Sequence, residues 1–113
     1  MQNSRCYKFS LDIIALADLL PNKRSARVIS DQLIRSATSI GANLVEAKAS
    51  SSRLEFKKFN EIALKSANES QYWLCLLRDA KLIGKERIEL LLKEAIEIAN
   101  MLASGVLKLK GKL

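Results

Sequence analysis

The stretch Gln32–Glu46, QLIRSATSIGANLVE, carries the clearest structural pattern of the chain. Leu33, Ala37, Ile40 and Leu44 recur at steps of four, three and four, and Ile29 and Ala47 extend the series in both directions. Side chains at those steps share one face of a helix that turns every 3.6 residues. Asn43 and Glu46 lie beside this apolar stripe. Gly41, inside it, costs about 1 kcal/mol of helix propensity relative to alanine, and is read as permitting close approach of a neighbouring helix. The segment predicts an amphipathic helix over 25–48.

The same periodicity appears three more times along the chain. Upstream, Phe9, Ile13, Leu16 and Leu20 mark one face of a helix over about 6–20, which Pro21 terminates. Downstream, Ala49–Ser52 read as a loop, and Ser52 with Glu55 fits a capping box opening a third helix over 53–82. Its stripe is bulky at the ends (Phe56, Phe59, Trp73, Leu77) and small in the middle (Ala63, Ser66, Ala67, Ser70), which predicts a central helix with closely approached neighbours. Gly84 is the expected left-handed stop. A fourth helix over 85–108 follows, with Ile88, Leu91, Ala95, Ile98 and Leu102 on one face, then a basic tail to Leu113 read as frayed. Short joints between apolar-faced helices favour antiparallel packing of sequence neighbours. The expectation is a single all-α domain over 1–113, an up-down-up-down four-helix bundle.

Composition narrows the function. Hydrophobic residues make up 49% and aromatics 5% of 113 residues, which fits a helical bundle and argues against a disordered chain. No apolar run approaches the roughly 20 residues that span a bilayer, and the opening MQNSRCYKF has no signal-like core, so a cytoplasmic protein is expected. Histidine is absent, and Cys6 and Cys75 lack zinc-site spacing. Both are expected to be reduced packing residues. Glu46 and Glu69 could in principle do acid–base work, but bundle metal sites pair such carboxylates with histidines. The expectation is no metal, no cofactor and no enzymatic activity, with these carboxylates hydrogen-bonded inside the fold.

The formal charge of +7 and a pI near 9.7 attract polyanions. Three clusters of cations stand out: Lys23, Arg24 and Arg27; Lys48, Arg53, Lys57 and Lys58; and Arg78, Lys81, Lys85 and Arg87. In an antiparallel bundle the first and third groups share one end and the second occupies the other. No base-reading motif accompanies them, so contact with RNA or DNA would be phosphate-led and tolerant of sequence. The competing reading is a protein-interaction or structural module whose charge only solvates it. Val28, Ile34, Val45, Leu64, Leu76, Leu90 and Ile96 fall off the main stripes. That surplus predicts either a wide core or self-association.

The segment Gln32–Ile40 with Asn43 and Glu46, together with Phe56, Ala63, Ser66, Glu69 and Leu74, resembles the signature of a bacterial family. Its members are four-helix-bundle proteins encoded in intervening sequences of 23S ribosomal RNA genes. Ala47, where the family commonly has glycine, and Asn60, where it has leucine, depart from the pattern. The resemblance implies a homopentamer of antiparallel bundles arranged as a barrel, with no catalytic role. It also implies a relationship to the accessory variability proteins of diversity-generating retroelements, which bind nucleic acid and partner a reverse transcriptase. Under this resemblance Asn43, Glu46 and Glu69 form a structural polar clasp between the second and third helices.

Overall fold

The computed structural model describes residues 2–111, with side chains from Ser4 onward; Met1, Lys112 and Leu113, which close the expected domain and tail, lie outside the described residues. The described residues form four helices: α1 (Gln2–Asp18), α2 (Arg24–Lys48), α3 (Arg53–Asp79) and α4 (Lys85–Leu109). The described residues contain no strand. The long axis of 44 Å matches the about 40 Å length of a 27-residue helix such as α3, at 1.5 Å per residue.

The helix ends follow from local chemistry. α1 stops at Asp18 rather than Leu20, because Pro21 disfavours helical geometry in the residue before it. The amides of Leu19 and Leu20 close back on the carbonyls of Leu16 and Ala17 at 3.0 and 3.2 Å. At the start of α3 the Ser52 hydroxyl accepts the Glu55 amide at 3.1 Å. The Glu55 carboxylate returns to the amide of Ser51 at 3.2 Å, one residue earlier than the capping-box pattern places it.

The stop of α3 is not at Gly84. Lys81 takes the left-handed conformation, at φ 58°. Its amide bonds the Arg78 carbonyl at 3.0 Å, and the Leu82 amide bonds the Leu77 carbonyl at 3.1 Å, the paired bonds of a Schellman motif. Gly84 instead sits at φ −59° as the cap residue ahead of α4, a conformation that needs no glycine. The sequence marker misled because a lysine occupies the position that glycine usually fills.

Neighbours in sequence pack together: α1 on α2, α2 on α3 and α3 on α4, with a smaller α1–α4 contact closing the ring. Phe9, Ile13, Leu16, Leu33, Ile40, Leu74, Leu77, Ile88 and Ile98 are fully buried between them. Ile34 and Leu64, off the main stripes, pack against this core, whereas Val28, Val45, Leu90 and Ile96 are exposed. The apolar surplus is therefore divided between a widened core and the surface. Between α2 and α3, Ser36 meets Ser70 at 3.0 Å and Ser39 meets Ser66 at 2.9 Å. Partner numbers fall on α3 as they rise on α2. Gly41 faces Cys6 of α1, but a methyl group built there would lie 3.7 Å from the Cys6 Cβ, an ordinary contact. Packing inside the chain thus does not require glycine at this position.

Candidate nucleic-acid interface

The α2–α3 seam is held by hydroxyls, and the expected clasp of Asn43, Glu46 and Glu69 does not form. Asn43 donates to the carbonyl and hydroxyl of Ser39, within its own helix, at 2.8 and 2.9 Å. Glu46 is exposed. The register explains the separation. Glu69 lies beside the level of Ser36, and Glu46 is ten positions further along α2, about 15 Å at the helical rise. Glu69 instead accepts from the indole Nε1 of Trp73 at 2.8 Å and from the Arg35 guanidinium. The serine pairs Ser36–Ser70 and Ser39–Ser66, with the Arg35–Glu69 ion pair, join the helices. In the sequence Ser66 and Ser70 read only as small packing residues, because a hydroxyl on an apolar stripe resembles alanine in size, and Ser36 and Ser39 stand only within the family-like segment. Their pairing at matched heights was the missing signal. No buried side-chain nitrogen or oxygen lacks a partner among the described residues.

These environments separate the two glutamates experimentally. Glu69→Gln removes the charge that Arg35 and Trp73 share and is expected to cost about 1 kcal/mol. Glu46→Gln should stay within about 0.5 kcal/mol of the parent, as exposed substitutions do. Urea unfolding of both variants checks this; equal losses would contradict the assignment.

Arg5 ties α1 to α4. Its Nε and Nη2 donate to the two Glu94 oxygens at 2.6 and 2.8 Å, and Nη2 also reaches Glu97 at 2.6 Å. Hydrogen bonding to Arg5 holds the Glu94 carboxyl below its ordinary value of 4.5, and the same bonds raise the Arg5 guanidinium. A depressed carboxylate stabilises the fold above its unfolded value, and that contribution is lost as pH falls through the folded value. Arg5→Met should therefore cost about 1 kcal/mol near neutrality, after discounting for partial exposure. It should also flatten the fall in melting temperature upon acidification below the ordinary carboxylate range, measured by circular dichroism. A parallel fall in parent and variant would contradict this. The acids of α4 are thus partly neutralised: Glu94 and Glu97 by Arg5, and Glu89 by Arg78 at 3.3 Å. Cys6 is buried, and desolvation pushes its thiol up to about 11, which suits a packing residue.

The register also places the cations. Arg27 lies nine positions before Ser36, and Asp79 nine after Ser70, so the Lys23–Arg27 group and the Arg78–Lys85 group share one end of the molecule. Within it Arg27 donates to Asn22 at 2.6 Å and Arg78 pairs with Asp79 and Glu89. Lys23, Arg24, Lys81 and Lys85 are exposed and make no ion pair among the described residues. At the other end stand Lys48, Arg53, Lys57 and Lys58, also without an ion pair among the described residues. α4 brings Lys108 and Lys110 to this second end, the latter bonded to Glu61 at 3.2 Å. The basic tail is visible in the sequence, but its place beside that group follows only from where α4 ends.

A separate feature lies on the α1–α2 face. Tyr7, Leu11 and Ile14 of α1 and Thr38, Gly41, Ala42 and Val45 of α2 line an apolar groove of about 390 Å³. No group of three or more potential metal-ligating side chains occurs among the described residues. No described helix is long and apolar enough to cross a membrane.

The architecture defines an all-α bundle of four helices. The chain belongs to the family described as 23S rRNA-intervening sequence protein, which it matches over residues 3–104. It is similar to a crystal structure of a protein with unknown function from the S23 ribosomal protein family of Bacteroides thetaiotaomicron. Identity is 38%, coverage is 94% of this chain and 98% of that one, and the TM-score is 0.87. No curated protein matches the chain.

Proposed function

We propose that this protein is a non-enzymatic, cytoplasmic, basic scaffold that binds RNA or DNA through phosphate contacts at the ends of its bundle. The observation that carries the reading is the set of exposed cations without ion pairs at both ends, in a chain of net charge +7. Such cations displace condensed counterions from a polyanion, so affinity falls steeply with salt. The α4 acids that would oppose this are partly occupied by Arg5 and Arg78. Fluorescence anisotropy with labelled RNA and DNA over a salt series tests the reading. Linear loss of log affinity with log salt is expected; absence of binding at low salt, or indifference to salt, would overturn it.

The bundle topology is antiparallel up-down-up-down, supported by the opposed order of the Ser36–Ser70 and Ser39–Ser66 pairs. Self-association into a homopentameric barrel follows from the family resemblance. The exposed apolar groove between α1 and α2 supports it, since a monomer gains nothing from leaving that surface in water. Light scattering coupled to gel filtration measures the assembly. Service as accessory protein to the reverse transcriptase of a diversity-generating retroelement is the biological role this reading favours.

A further inference from the structure

We infer that the end of the bundle bearing Phe56 binds single-stranded nucleic acid, with the Phe56 ring as a platform on which an unpaired base stacks. This rests on the nucleic-acid reading above and names the form of the ligand. Lys110, just past α4, is bonded to Glu61 of α3. Phe56 lies five positions further out, about 7.5 Å at the helical rise, beyond the described end of α4. It stands on the same stripe as buried Ala63 and Ala67, yet is 39% exposed, because the helix that would cover it has ended. Arg53, Phe56, Lys57 and Asn60 fall at steps of three, four and seven, one face of α3. Arg53 and Lys57 have no ion pair among the described residues.

A part-exposed aromatic ring beside cations without ion pairs is an arrangement that can hold single strands: the cations track the phosphates while the ring takes a base. In a duplex the base faces are already stacked on one another, so the same ring gains nothing there. The other exposed aromatics lack this setting. Tyr72 already packs edge-to-face on Trp73, and Tyr7 lines the apolar groove.

The test compares the full chain with Phe56→Leu and Phe56→Tyr, after thermal melting has shown each variant folded. The probes are a fluorescein-labelled oligouridylate and a duplex RNA of equal length, followed by anisotropy over a salt series. The parent should prefer the single strand. Phe56→Leu should weaken single-strand binding by about 5- to 100-fold, the loss of one base–aromatic stack, with salt slope and duplex affinity unchanged. Phe56→Tyr should retain the parent affinity. Parent-like single-strand affinity in a folded Phe56→Leu would overturn the inference while leaving the charge reading intact. Equal loss on single strand and duplex, or a changed assembly size with both affinities intact, would also overturn it, the latter in favour of a subunit contact. Absence of binding by the parent to either probe would remove the charge reading and the inference together.

Discussion

Replacing Phe9 with alanine is expected to lower the unfolding free energy by about 3–5 kcal/mol, the range for truncating a fully buried phenylalanine. Phe9 heads the largest fully buried side chains and is 1% exposed. It belongs to α1, which has 17 residues against 25 to 27 in the others and so has the least further burial with which to hold its place. The loss combines removal of apolar surface from the core with a cavity that α2 and α4 cannot fully close. A small domain holds only about 5–15 kcal/mol in all, so the variant should sit near the edge of folding at physiological temperature. Guanidinium unfolding followed by circular dichroism measures it. A cost below about 1.5 kcal/mol would mean that α1 relaxes onto the bundle and that its docking is looser than the structure describes.

Ser70→Leu is expected to cost about 2–4 kcal/mol, through overpacking and the loss of buried hydrogen bonds. Ser70 is wholly buried where α2 and α3 approach, its hydroxyl within 3.0 Å of Ser36 and donating to the Ser66 carbonyl at 2.9 Å. Leucine adds volume at a point where both helices present small side chains, so the axes must separate or the new side chain must leave its preferred rotamer. Ser70→Ala removes only the hydroxyl. The single hydroxyl proton of Ser36, no longer given to Ser70, can turn to the Leu33 carbonyl at 3.2 Å, so that variant should lose about 1 kcal/mol. The contrast isolates steric demand from hydrogen bonding. If leucine and alanine cost the same in urea unfolding, the close approach at this position is not a constraint.

The two experiments probe different degrees of legibility. Phe9, Ile13 and Leu16 were readable as core because apolar spacing at three and four survives any detail of packing, and so did the four helices. Elements that depend on one residue's backbone angle were less visible. Glycine's left-handed preference points to Gly84 as the α3 stop, while the chain turns at Lys81, whose left-handed conformation is held by two carbonyl bonds and leaves no mark in residue type. The polar clasp failed for a related reason. Periodicity gives the face a residue occupies but not its height against a partner helix. Glu46 and Glu69 share a seam and still lie far apart along it, whereas Ser36 and Ser70 coincide. The basic groups were legible individually. Their grouping with Lys108 and Lys110, and the exposure of Phe56, required knowing where α4 ends.

The bond between Trp73 and Glu69 carries an optical consequence. Trp73 is the single tryptophan of the chain, half-buried, edge-to-face with Tyr72 at 5.0 Å, and its indole donates at 2.8 Å to a carboxylate that also binds Arg35 across the α2–α3 seam. Its emission wavelength and intensity therefore report the local field and quenching at that seam, without an introduced label. Parting of α2 from α3 would shift the emission to the red while far-ultraviolet ellipticity still registered intact helices. Native fluorescence thus offers a way to time the separation of this one helix pair independently of the melting of the whole.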